Sequence, residues 1–371
     1  MEERLANGES PLVTDQGWGF HTRLSVTDGH WKANSSFSHT ETHTHQQENK
    51  ADTLNSKMGS EADVAVTMVA ILGTMLAILG GLVVLQTPQK DGTSRFLPDP
   101  KTEPTKYGYE VFAVIYTPIW IGLFGIVVVT QAYEYFGAFE YNMVTGVLAL
   151  PFILQPLLFP SCGSSSPDAD RPFLERYSTK ANLWIAVYSF IGNYWYTHYF
   201  FSVLKAEYTM PALRLNNVPI CMFFATHFYF STYHVFSNAM LRKVLTTYQA
   251  GTMRTALFVG VVVVFSYFTA FMETLSISSF PYYRFEDRNM AYTVGSAFYG
   301  IYFLVSFPAF IYFDDEIDKS GPTARKVNLW DTVVSSCGHG MMILCLLDFV
   351  RIYLDIPLTI EAVTGYTPAY P

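Results

Sequence analysis

The chain has 371 residues, length enough for two or three soluble domains, yet only 15% of them are charged against roughly 25% in globular proteins. Ten acids and five bases fall within residues 1–63, so the rest of the chain is an apolar, aromatic-rich body with few charges, which excludes a soluble enzyme. The net charge of −8 leaves no broad basic face, which excludes nucleic-acid binding.

Residues 1–63 are rich in Ser, Thr, His and Asn and read as a polar, disordered tail. They lack a basic start followed by an apolar core, so targeting falls to a membrane span. His39, His43 and His45 in HTETHTH read as solvated, since nothing beside them fixes a coordination geometry. Asn34-Ser35-Ser36 is a glycosylation acceptor that reports where the tail sits. Cys162, Cys221, Cys337 and Cys345 show no CxxC pairing, so neither a metal nor a redox cofactor is expected.

A bilayer core requires about 20 apolar residues per helix, because lipid offers the backbone no hydrogen-bond partner. Eight stretches qualify: 64–85, 111–130, 141–159, 182–204, 218–240, 256–278, 292–313 and 332–355. Pro151 and Pro156 predict a kink in the third, and Asp348 and Arg351 interrupt the last, leaving re-entrant alternatives for both. The fold class is therefore an all-α polytopic integral membrane protein, a bundle of about seven transmembrane helices plus an extra N-terminal span. Its parts are the tail 1–63, an appended anchor 64–85, an extended Pro-rich linker 86–108, the multi-span domain 109–355 and a short C-terminal tail 356–371. Thirteen Lys and Arg lie after spans one, three, five and seven, and four lie on the opposite side, which places the thirteen in the cytoplasm and both termini on the other face.

Four histidines fall inside spans, where an ionisable group is costly and marks either a function or a satisfied polar contact. His227, Ser231, His234 and Asn238 form one helical stripe, Ser266, Thr269, Glu273 and Ser276 a second, and Asn193 with Thr197 a third, beside His198. Helix rise places Glu273, His198 and His227 at compatible depths within one half of the bilayer, and His234 with His339 nearer the other surface. A neutral carboxyl beside neutral imidazoles suits moving a proton on and off carbon. The rings of Tyr194, Trp195, Tyr196, Tyr233 and Tyr267 can face a carbocation, although aromatics at this density also fill membrane interiors. Interhelical hydrogen bonding is the plain alternative for each polar group.

Several strings belong together: YTPIW at 116–120, ANLW at 181–184, GNYWYTHYFF at 192–201, NNVP at 216–219, THFYFSTYHVFSN at 226–238, ETLSISSFPYYRFEDR at 273–288 and FYGIYFLVSFP at 298–308. In order, from about residue 109 to 355, they closely resemble the cycloeucalenol cycloisomerase family, membrane enzymes of sterol biosynthesis. The tail, the first span and the linker lie outside the resemblance. It implies conversion of a cyclopropyl sterol such as cycloeucalenol to obtusifoliol in the endoplasmic reticulum membrane, without cofactor. The partners it implies are the sterol and the lipid bilayer.

The residue roles rest on placement rather than on the family name. Glu273 is the expected proton donor, with His227 and His198 as base or relay. His234, Asn193, Tyr233, Trp195 and Tyr267 are expected around the sterol, and Asn216 or Asn217 at its hydroxyl. A proton-coupled transporter or a non-catalytic sterol-binding protein is the rival class.

Overall fold

In a computed structural model, residues 25–27, 30–32, 42–90, 92–162, 166–278, 280–319 and 325–358 are described, the side chains from Asp63 onward with those of 277 and 278 excepted. The expectations for Asn34 and for the side chains of His39, His43 and His45 lie outside the described residues. Contacts divide the chain into two units, 1–59 and 60–371. In the first, strands β1 (Ser25–Thr27) and β2 (His30–Lys32) pair antiparallel, and helix α1 (Thr42–Val84) begins well ahead of its apolar stretch.

The second unit continues with α2 (Pro104–Val129), α3 (Ala138–Leu158), α4 (Tyr177–Ile191) and α5 (Thr197–Leu204), then strands β3 (Ala206–Tyr208), β4 (Arg214–Leu215) and β5 (Val218–Pro219). Helices α6 (Ile220–Thr247) and α7 (Thr252–Ser278), strand β6 (Tyr283–Phe285), the short turn α8 (Arg288–Met290), α9 (Ser296–Ile317) and α10 (Leu329–Tyr353) complete it. Local chemistry sets the ends. Pro104 opens α2, where its missing N–H costs nothing. Asn328 and Asp331 cap α10 reciprocally, each side chain accepting the other's backbone N–H at 2.9 and 3.1 Å.

Each of the eight apolar stretches is mostly helix. Six of the described helical segments are long and apolar enough to cross a membrane: 63–84, 104–129, 138–158, 252–276, 288–317 and 329–353. The stretches 182–204 and 218–240 fall short for different reasons. The first is interrupted by a π turn at Gly192–Tyr196, which joins α4 to α5. The second lies on α6, a helix of 28 residues whose polar side chains dilute its hydropathy. Those polar groups are tolerable because α6 sits inside the bundle against α3, α4, α7 and α9. Ser231, His234, Ser237 and Asn238 are all buried, whereas Ile115, Ile119 and Ile126 of α2 are exposed as a lipid-facing side must be.

The linker is packed, not extended free of the bundle. Gln89 donates from its amide to the carbonyls of Leu245 and Tyr248, and Thr87 and Gln89 exchange backbone bonds of 2.9 Å with Gln249 and Thr247. The first span leans on α7, where Met68 meets the Tyr267 hydroxyl and Gly260 admits Leu79 and Leu82.

Five of the thirteen Lys and Arg counted to one side lie on helix and not in loops: Lys106, Lys180, Arg242, Lys243 and Arg254. Helices α2 and α6 extend past the apolar stretches far enough to take in Lys106 and Arg242, both buried. Arg242 forks onto Glu110 with bonds of 2.7 and 2.6 Å, and Lys106 lies 2.5 Å from Asp315 and 3.6 Å from Asp314. This network ties α2, α6 and α9 together at one end of the bundle.

Candidate active site

Beside the π turn, α6, α7 and α9 converge on a narrow cavity of about 70 Å³, part of it continuous with the surroundings. A π turn inserts a residue into the helical register and re-aims the side chains on either side of it. Here it turns Asn193 toward α6, where its amide donates to the Thr226 hydroxyl at 2.5 Å and to the Ser189 carbonyl at 3.0 Å. A second π turn, Ala291–Gly295, leads into α9 and precedes Phe298, Tyr299 and Tyr302 on the same lining.

Glu273 of α7 stands on this wall as the one carboxyl among its described lining residues. The hydroxyls of Tyr233 on α6 and Tyr299 on α9 stand beside its carboxyl. Its Oε2 is sealed from solvent and has no partner among the described residues. An unpartnered buried oxygen of this kind costs free energy unless a ligand meets it.

At one end the cavity is closed by the ribbon β3–β6, in which Tyr208 pairs with Tyr283 and their rings pack edge to face at 5.1 Å. Burial pushes both phenols above their ordinary values, so they stay protonated. Phe230 and Phe298 supply further aromatic lining.

The structure brings together Glu273, Asn193 and Tyr233 from the sequence expectations and separates the rest. His227 is buried but lines a different, wider and more open cavity of about 510 Å³ between α3, α4 and α6, and its Nε2 has no partner among the described residues. His198 is buried one position beyond Thr197, with its ring against Phe201 and Trp195, off the Glu273 lining. His234 has both nitrogens engaged by protein. Its Nδ1 donates to the Phe230 carbonyl at 2.7 Å, which fixes the tautomer, so Nε2 accepts from Ser306 at 2.9 Å. It and His339 flank the Trp184 ring rather than any ligand space.

Asn216 and Asn217 adopt φ of 51° and 61° as the two-residue turn between β4 and β5, a conformation in which Asn is favoured. The Asn216 amide donates to the Tyr194 carbonyl, tethering this turn to the π turn. Trp195 is 39% exposed, and Tyr267 packs between Met68 and Thr293, so neither is on the lining.

Four lining residues, Tyr299, Tyr302, Tyr208 and Tyr283, were not expected from the sequence. Tyr299, Tyr302 and Ser306 follow helical spacing in an otherwise apolar span, a polar stripe of the same kind as those on α6 and α7. No comparable signal marks the β3–β6 pair, whose strands pair across a long separation in sequence.

The chain is a multi-pass helical membrane protein whose α6, α7 and α9 converge on a partly open, tyrosine-lined cavity with a single carboxyl among its described lining residues. The chain is 40% identical over 260 residues to the cycloeucalenol cycloisomerase of Arabidopsis thaliana, an alignment covering 69% of this chain and 89% of that protein. The chain belongs to the cycloeucalenol cycloisomerase family. No family model matches the sequence, and no solved structure matches it.

Proposed function

We propose that the chain is a membrane isomerase that opens the 9,19-cyclopropane ring of a cyclopropyl sterol, converting cycloeucalenol to obtusifoliol in the endoplasmic reticulum membrane. The observation that carries this reading is the Glu273 carboxyl, flanked by two tyrosine hydroxyls on the wall of an aromatic-rich cavity. A proton passes from Glu273 to the ring methylene, carbon 19. The bond between carbons 19 and 9 breaks as its electron pair takes the proton, and positive charge develops at carbon 9. Phe230, Phe298, Tyr299 and Tyr302 turn polarisable rings toward that charge and keep water from adding to it. Loss of the carbon 8 proton then forms the alkene. Asn193 fixes the π turn against Thr226 and so sets the shape of the wall opposite Glu273.

The test is expression of residues 1–371 in microsomes lacking their own cyclopropyl-sterol isomerase, with cycloeucalenol supplied and sterols followed by mass spectrometry. Obtusifoliol from the wild type and none from a folded, sterol-binding Glu273→Gln variant is the expected result. A folded wild type that binds cycloeucalenol and leaves it unchanged refutes the reading in favour of sterol binding or transport.

A further inference from the structure

Ring opening requires one group to give a proton and one to take a proton, and the cavity offers very little choice. Apart from Glu273, its described polar lining consists of phenols, alcohols and the Asn193 amide. None of these is a competent base while neutral, and a phenol keeps its proton at neutral pH. The histidines that would fill the second role stand elsewhere. His227 borders the other cavity, on the far side of the Asn193–Thr226 contact, and His234 has both nitrogens committed.

We infer that Glu273 performs both transfers, giving its proton to carbon 19 and taking back the proton of carbon 8, so that each sterol leaves behind the hydrogen delivered to the next one. The inference rests on the ring-opening reading above. The balance closes within the sterol and one side chain. The carboxyl O–H breaks as the carbon 19–hydrogen bond forms, and the carbon 8–hydrogen pair becomes the double bond to carbon 9. The proton from carbon 8 restores the carboxylic acid, with no oxidant, reductant or water consumed.

Three features favour it. Carbons 19 and 8 are both bonded to carbon 9, so the two transfers lie two bonds apart, within the span of one carboxyl group. The hydroxyls of Tyr233 and Tyr299 stand beside the carboxyl, placed to donate to the carboxylate that exists between the two steps, and hydrogen bonds to an ionised acceptor are the stronger kind. Oε2 is left without a protein partner among the described residues and sealed from solvent, so it is available to the sterol and slow to exchange its proton with water.

The experiment uses the full chain in lipid nanodiscs and cycloeucalenol deuterated at carbon 8, in ordinary water, with obtusifoliol analysed by mass spectrometry and deuterium NMR. With enzyme in excess, the first turnover delivers the resident hydrogen, and the product carries no deuterium in its carbon 19 methyl. With sterol in excess, most product molecules carry deuterium there, passed on from the preceding substrate. Unlabelled obtusifoliol under sterol excess overturns the inference while leaving the isomerase reading in place, because the carbon 8 hydrogen is then not handed to the next sterol. Absence of any obtusifoliol from a folded, sterol-binding protein removes the isomerase reading and the inference with it.

Discussion

Replacing Arg242 with Leu should destabilise the protein far more than deletion of a surface charge. The guanidinium is 8% exposed and makes three bonds: two to Glu110, and one of 2.8 Å to the Phe96 carbonyl of the linker. Glu110 and Asp314 are fully buried, and Lys106 is 5% exposed. Without Arg242, both carboxyls share the remaining buried cation of this network, Lys106, whose nearest oxygen belongs to Asp315 instead. Removing one member of a buried pair costs about 3–5 kcal/mol, because the other is left charged in a medium that solvates it poorly. Arg242→Leu and Glu110→Leu should each fall in that range. The double variant should recover most of the loss, since apolar replacement of a whole buried pair is often neutral. Denaturant titration in detergent micelles, followed by tryptophan fluorescence, measures all four corners of the cycle. Single variants costing under about 1 kcal/mol, the value of an exposed pair, or a double variant as unstable as the two losses summed, would refute the reasoning.

Glu273→Gln should lower turnover by about 10²- to 10⁴-fold, the usual loss on removing a general acid, while sterol-induced thermal stabilisation persists. Tyr299→Phe removes one hydroxyl from the carboxylate. At about 1.5–3 kcal/mol for a hydrogen bond to a charged group, it should lower kcat roughly 10- to 100-fold with KM little changed, a split that steady-state kinetics reads directly. Gly192 lines the cavity, and a Cβ placed there would lie 3.6 Å from both Phe230 and Tyr196. Gly192→Leu should therefore occupy sterol space and raise KM, as checked by titration with the sterol. Asn216→Ala loses both a side chain suited to positive φ and the bond to the Tyr194 carbonyl. A loss of about 1–3 kcal/mol is expected from the unsatisfied carbonyl alone, measurable by thermal denaturation, whereas Asn217→Gly should be close to neutral.

Much of the fold was legible because lipid makes a simple demand: a run of about 20 apolar residues has little option but helix. The extra helical turns were not legible. Lys106 and Arg242 looked like loop charges because their charge is local information, whereas their partners are not. Arg242 finds Glu110 from 132 positions away, on another helix. The π turn at Gly192–Tyr196 left no trace in composition, and it alone puts Asn193 where α6 can be reached.

For the site, helical spacing identified residues that share a face, and rise per residue identified residues that share a depth. Neither fixes how a helix is rotated relative to its neighbours. That missing angle decides the fate of His227. Thr226 and His227 are adjacent in sequence and nearly equal in depth, yet one residue on a helix is about a hundred degrees of rotation, a consequence of 3.6 residues per turn. The rotation of α6 sends Thr226 to the cavity that holds Glu273 and His227 to the other. The same rotation places Tyr233, two turns further along, within reach of the carboxyl. Depth alone allowed an acid and a separate imidazole base. With the rotation fixed by packing against α4, α7 and α9, what remains beside the cavity is one acid among tyrosine hydroxyls, the set on which the single-group proposal rests.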